Sequence, residues 1–165
     1  MKKRNLLAAI LVVLVFAVFA MGSSEETTTN QGSGQAAVEA TVENSIGKYA
    51  IEIDSCRLAK DYEGKAVVIV KYLFTNVSDD NAVSFMIAFD DEAYQGGVGL
   101  NGAYILKDSA NYSSDNQTKQ IKKGATIEVE VAYELNDSET DVEVEVKELF
   151  SFDNKVITKT FTIAK

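Results

Sequence analysis

Apolar and polar residues alternate along most of the chain beyond residue 45. The pattern is clearest in "ATIEVEVAYEL", where Ile127, Val129, Val131, Tyr133 and Leu135 interleave with Thr126, Glu128, Glu130, Ala132 and Glu134. A period of two buries one side-chain set of a strand and leaves the other in solvent. "DVEVEVKELFSF" repeats the pattern, with Val142, Val144, Val146, Phe150 and Phe152 on one face and Glu143, Glu145 and Lys147 on the other. Glu148 interrupts the inward series, which predicts a bulge or strand end there. The turn formers of "NDSETD", residues 136 to 141, predict a hairpin between these two strands. Asp153 and Asn154 predict a turn into a third strand, "NKVITKTFTIAK", with Ile157, Phe161 and Ile163 on one side.

Upstream, "YAIEIDSCRL" and "AVVIVKYLFTN" flank the turn "AKDYEG". The second is apolar on both faces, Val68, Val70, Tyr72 and Phe74 against Val67, Ile69 and Leu73, and is predicted to be a central strand. "AVSFMIAF" is predicted as a further strand after the polar turn "VSDDN", and four glycines between Tyr94 and Tyr104 predict bends, bulges or a hairpin. Seven or more short strands in about 120 residues, separated by Asn, Asp and Gly turns, predict an all-β domain. The architecture expected is an immunoglobulin-like antiparallel β-sandwich, with a closed barrel as the alternative. The chain has no Trp and one Cys, so a buried Trp packed on an inter-sheet disulfide is excluded. It also has no Pro, leaving outward Glu and Lys to protect strand edges.

Ahead of the strands the pattern changes twice. Lys2, Lys3 and Arg4 precede fifteen uninterrupted apolar residues, "LLAAILVVLVFAVFA" from Leu6 to Ala20, followed by Met21 and Gly22. A basic start, an apolar helix-forming run and small residues at Ala20 and Gly22 predict a secretory signal peptide over residues 1–22, cut to leave Ser23 first. The competing expectation is an uncleaved anchor, because the 17 residues from Leu6 to Gly22 reach the lower limit of a spanning helix. The segment also has the outline of a lipoprotein start, but Ser23 stands where the lipid-bearing Cys would be, and a hydroxyl cannot supply the thioether. Residues 23–44, "SSEETTTNQGSGQAAVEATVEN", have too few large apolar side chains to repay chain ordering and predict a flexible, disordered linker. The domain proper is then 45–165. The expected location is extracellular or in the cell envelope, with membrane attachment only if residues 1–22 are retained.

Charge narrows the partners. The net charge is -9, and removing the three N-terminal cations from 16 Lys and Arg leaves 13 against 25 Asp and Glu, a net -12. No lysine cluster beyond residue 22 is denser than Lys119, Lys122 and Lys123, so nucleic acid is not an expected partner. The absence of His removes the commonest general base and the usual partner of a Ser or Cys nucleophile. Cys56, alone and on a predicted strand, reads as a small apolar residue. Glu128 and Glu130, two apart on a polar strand face, read as solubilising residues rather than glycosidase acids.

Two acidic groups suggest a calcium-binding alternative: Asp79, Asp80 and Asn81 in one predicted loop, and Asp90, Asp91 and Glu92 in another. An extended "AVSFMIAF" would hold them roughly 26 Å apart at about 3.3 Å per residue, and no D-x-D-x-D-G loop occurs. No catalytic, cofactor-binding or metal residue is therefore assigned. Tyr94, Gln95, Tyr104 and Tyr112, aromatic and amide groups around the Gly-rich and "NYSSDNQT" segments, are the candidate contact loop for a protein or glycan. Asn76, Asn111, Asn116 and Asn136 stand in glycosylation sequons, of consequence only in a eukaryotic secretory pathway.

The succession "DYEGKAVVIVKYLFTNVSDDNAVSF", "AYQGGVGL", "IKKGATIEVEVAYEL" and "VEVEV" resembles the uncharacterised immunoglobulin-like domains of secreted proteins and lipoproteins in Gram-positive bacteria. The likeness spans about residues 47 to 164, and Thr75-Asn76 and Tyr94-Gln95-Gly96 are its most specific pieces. It implies an exported β-sandwich, commonly a lipoprotein, and transfers no catalytic residue. The function expected is a non-catalytic exported binding module for an unknown protein or envelope component.

Overall fold

A computed structural model describes residues 45–79, 81–104, 106 and 111–163; the signal-peptide and linker expectations for residues 1–44 lie outside them. Ten elements follow one another: β1 (Ser45–Ile46), β2 (Tyr49–Lys60), β3 (Ala66–Asn76), α1 (Phe85–Ala88), β4 (Phe89–Gln95), β5 (Val98–Gly99), α2 (Asp115–Thr118), β6 (Thr126–Glu134), β7 (Val142–Glu148) and β8 (Val156–Phe161). They form two four-stranded sheets ordered β1-β2-β3-β6 and β5-β4-β7-β8, with every pairing antiparallel.

The connectivity is that of an immunoglobulin-like sandwich. The chain crosses between sheets from β3 to β4 and again from β6 to β7, and the strands of these crossings pair, β3 with β6 and β4 with β7. Reading β2 to β8 as A, B, C, C′, E, F and G reproduces the immunoglobulin order without strand D. Among the described residues no strand D is present, and residues 101–103 and 116–117 bond to the outer edge of β6 in its place. Ala103 N–H donates to the Ala132 carbonyl and Glu134 N–H to the Asn101 carbonyl, both at 2.8 Å. Farther along, the Asn116 and Gln117 side-chain amides donate to the Glu128 and Glu130 carbonyls at 2.8 and 2.6 Å. An edge that would otherwise expose unpaired backbone groups is thus satisfied without a strand.

Period two in the sequence becomes burial in the fold. Val142, Val144 and Val146 of β7 are fully buried and meet Tyr72, Phe74 and Val129 of the opposite sheet in the main core. The doubly apolar β3 is central, between β2 and β6. Its Val68, Val70, Tyr72 and Phe74 enter the main core, while Val67 and Ile69 face outward beneath Ala103, Leu106 and Tyr112.

Four local expectations are corrected. The hairpin expected across "NDSETD" does not form: β6 pairs with β3 and β7 with β4 and β8, so residues 135–141 carry the chain from one sheet to the other, and the apolar faces of the two strands meet across the core instead of lying side by side. "AVSFMIAF" is not a strand: Phe85–Ala88 is one helical turn, burying Phe85 and Ala88 and leaving Met86 and Ile87 exposed. That i, i+3 spacing suits a helix, and a single turn is too short for periodicity to reveal. Consequently β4 begins at Phe89, and Asp90, Asp91 and Glu92 lie within a strand rather than in a loop. Phe150 and Phe152 do not continue the inward face of β7, which ends at Glu148; they are 80% and 99% exposed.

Candidate functional site

Along β4 the odd positions Phe89, Ala93 and Gln95 are buried, and period two places Asp91 on the same inner face. An acidic residue there must find a partner, and the Tyr133 hydroxyl of β6 donates to its Oδ2. Burial pushes the Asp91 carboxyl above the ordinary carboxylate range, against the pull of this hydrogen bond. Burial, with the neighbouring Tyr72 and Asp91, also pushes the Tyr133 phenol far up. The fully buried Tyr72 hydroxyl lies beside Tyr133 and Asp91 but has no partner in good hydrogen-bond geometry among the described residues, and its phenol is likewise held well above normal by burial and by the Asp91 charge.

Asp91 and Tyr133 line a cavity of about 510 Å³, walled also by residues from 99–104 and 112–118. Its walls include Tyr94, Tyr104, Tyr112 and Gln117, and no Lys or Arg is among its described lining residues. Tyr94 is fixed by donating its hydroxyl to Glu92 at 2.6 Å. Tyr112 is half-buried and accepts from Gln117 Nε2 at 3.2 Å, the same amide that holds the β6 edge. Tyr104 is 88% exposed, and its hydroxyl lies so near Gly102 that a Cβ there would meet it at 2.9 Å. It also borders a second hollow of about 310 Å³ with Asp61, Tyr62 and Lys65.

Three of the four residues singled out from the sequence, Tyr94, Tyr104 and Tyr112, therefore line one cavity. Gln95 does not join them. Its Nε2 donates to the Asp137 and Thr140 carbonyls at 3.2 and 2.7 Å, and its Oε1 accepts from the Asn136 and Asp137 amides at 2.8 and 3.3 Å. The buried glutamine thereby ties β4 to the β6–β7 turn. The sequence places Asp91 in an acidic group and Tyr133 on a buried strand face without joining them, although a carboxylate in phase with Phe89, Ala93 and Gln95 is a readable signal of an inward acid.

The acidic residues are dispersed by strand geometry. Asp79 pairs with Lys123, Asp90 with Lys147 at 2.9 Å, and Asp91 turns inward. Among the described residues no three His, Cys, Asp or Glu side chains gather as a metal site. Cys56 is half-buried on β2, and burial pushes its thiol up, away from the reactive thiolate.

The fold is shared with several solved structures. A candidate lipoprotein from Staphylococcus aureus is 21% identical with a TM-score of 0.54, covering 72% of this chain and 86% of that one. A protein from Enterococcus faecalis is 23% identical with a TM-score of 0.52, covering 71% and 86%. A candidate lipoprotein from Bacillus subtilis is 18% identical with a TM-score of 0.55; the match covers 76% of this chain but only 39% of that longer one. No curated protein matches the chain. The family model described as a domain of unknown function, DUF5067, matches residues 24–148, ending at the last residue of β7, and the chain belongs to that family.

Proposed function

We propose that this protein is an exported, non-catalytic binding domain of the cell envelope, which holds a cation-bearing segment of a protein or envelope partner in the tyrosine-lined cavity. The observation that carries the reading is the composition of that cavity: Asp91 and tyrosines in its wall, and no Lys or Arg among its described lining residues. Tyrosine faces attract ammonium and guanidinium groups, and a shielded carboxylate adds to that attraction. Export is supported by the apolar run and small-residue pattern of residues 1–22, and by the candidate lipoproteins of similar fold. The non-catalytic reading is supported by the lack of any His and by the distribution of acidic side chains over separate ion pairs.

The chain has seven Tyr and no Trp, so tyrosine emission reports on the cavity directly. Titration with lysine amide or tetramethylammonium is expected to give a saturable change in that emission. The change should be lost in Tyr104→Ala, which removes an exposed ring, and weakened in Asp91→Asn. A response equal in all three proteins, or one shared by acetate, rules the assignment out.

A further inference from the structure

The exposed apolar side chains are concentrated at one end of the domain. Strand register defines that end: Phe89 pairs with Glu148, Val156 with Lys147, Tyr49 with Asn76, and Thr75 with Thr126. The Tyr49 and Phe89 rings, 5.7 Å apart, join the two sheets there, and Leu149 N–H donates to the Ala88 carbonyl at 3.0 Å. Around it are Val77, Met86, Ile87, Leu149, Phe150, Phe152 and Val156, seven of the eleven exposed large hydrophobic residues among those described. None of the pairings above requires Phe150 or Phe152 to face solvent. Aromatic residues at the tip of a turn, beside an exposed Met and Ile, form the kind of patch that marks an interaction surface.

Two observations choose its occupant. Ser45, where the chain enters the described domain, is at this same end, its carbonyl accepting from Lys155 Nζ at 2.5 Å. By sequence, the residues before it are the 22-residue polar stretch from Ser23 to Asn44 and, ahead of that, Met21, Gly22 and the fifteen-residue apolar run. Charge also divides the domain. The loops at this end carry Lys48, Lys122, Lys123 and Lys155 against Asp79, Asp153 and, by sequence, Asp80. The opposite loops carry Lys65 against Asp61, Glu63, Asp137, Glu139 and Asp141. An acidic domain with one weakly basic, aromatic-tipped end is oriented by a negatively charged lipid surface: that end is drawn in and the other repelled.

We infer that the β7–β8 turn, with α1 beside it, seats on a lipid bilayer, and that Phe150 and Phe152 enter its interfacial layer. Aromatic side chains favour that layer, and lysines flanking them meet the anionic headgroups. The seating presents the opposite end, with the second hollow beside Tyr62, away from the membrane. It shares Met86 with the described cavity wall but uses neither Asp91 nor the cavity tyrosines, which carry the cation-binding reading.

Because the chain contains no Trp, a single tryptophan at either end is a unique probe. Full-length F152W and Y62W replace residues 99% and 78% exposed, at opposite ends. Each is mixed with phosphatidylcholine–phosphatidylglycerol vesicles, with and without brominated acyl chains. The expected result is a blue-shifted emission, quenched by brominated lipid, for F152W and not for Y62W, weakening as salt rises. Any association through residues 1–22 is common to both variants and cancels in the comparison. No shift at F152W overturns the inference, as does an equal shift at both sites. A shift at F152W that grows with protein concentration without vesicles overturns it in favour of a second copy of the chain.

Discussion

Asp91 occupies a position where a valine or alanine would satisfy the fold, and its cost can be read as a function of pH. Burial raises its carboxyl in the folded state, while the unfolded chain has the ordinary value of about 3.9. Below that value both states hold the proton, and the group's contribution to stability is complete. As pH rises the unfolded chain ionises first, so stability is lost until the raised folded pKa is passed. Asn at this position keeps a carbonyl to accept from Tyr133 and carries no charge. D91N is therefore expected to gain stability over the parent from about pH 4 upward, reaching a plateau towards neutrality; urea midpoints across pH measure it. A difference between the two proteins that stays flat with pH would show that Asp91 is not an internal acid. Other polar residues are explained without function. Asn76, the most specific landmark in the sequence together with Thr75, is fully buried; it donates to the Ile121 carbonyl at 3.0 Å and accepts from the Ser78 amide and hydroxyl at 3.0 and 2.8 Å. It fastens the end of β3 to the segment before β6, so its sequon is closed to modification.

At the scale of elements, turns show most directly what the sequence specifies. Gly47 lies between β1 and β2 with φ +54°, and a Cβ there would collide with the Glu148 carboxylate. Gly96 and Gly97 join β4 to β5 with φ +57° and +78°, the double left-handed conformation of a two-residue hairpin, and a Cβ at either meets nothing within 4 Å. Gly47→Ala is expected to cost about 1–2 kcal/mol from the left-handed backbone alone. Gly96→Asn, which suits the first position of such a turn and narrows the unfolded ensemble, is expected to change stability by no more than about 0.5 kcal/mol and in the favourable direction. Urea midpoints at unchanged slope compare the two; equal losses would mean that the two turns are not distinguished as described. The same scale shows why some elements were legible and others not. The long strands β2, β3, β6 and β7 declare themselves by alternation or by a doubly apolar run, because burial is uniform along them. Phe85 of the single-turn helix α1 and Phe89, the first residue of β4, are four apart and would share a face in a strand as well, so the pattern is ambiguous until tertiary packing decides it. Covering of the β6 edge without a strand rests on Asn116 and Gln117 reaching backbone carbonyls of β6. Amide side chains in a polar segment carry no periodic signal. Tyr94, Tyr104 and Tyr112 were recognisable as loop aromatics, but their convergence on Asp91 depends on the crossing of the chain between sheets.

For the whole molecule, the balance of charges sets how stability responds to salt. Residues 45–165 hold 21 acidic against 13 basic side chains, so the folded domain confines a net negative charge. The ion pairs that offset it are superficial: Arg57–Glu130 at 3.0 Å, Lys71–Asp54 at 2.9 Å and Lys147–Asp90 at 2.9 Å all leave a quarter or more of each side chain exposed. Each such pair contributes about 0–1 kcal/mol, and screening removes that modest gain. The same screening relieves repulsion among all the unpaired carboxylates, which acts over the whole domain when the Debye length is about 30 Å at 0.01 M and little when it is about 3 Å at 1 M. Repulsion involves every charge and the pairs only a few, so the first effect exceeds the second. Raising sodium chloride across that range is expected to increase stability by about 1 kcal/mol, a rise in melting temperature of roughly 4 °C. Calorimetry at fixed pH measures it, and a fall in melting temperature would place the exposed pairs, rather than the hydrophobic core, in control of the balance.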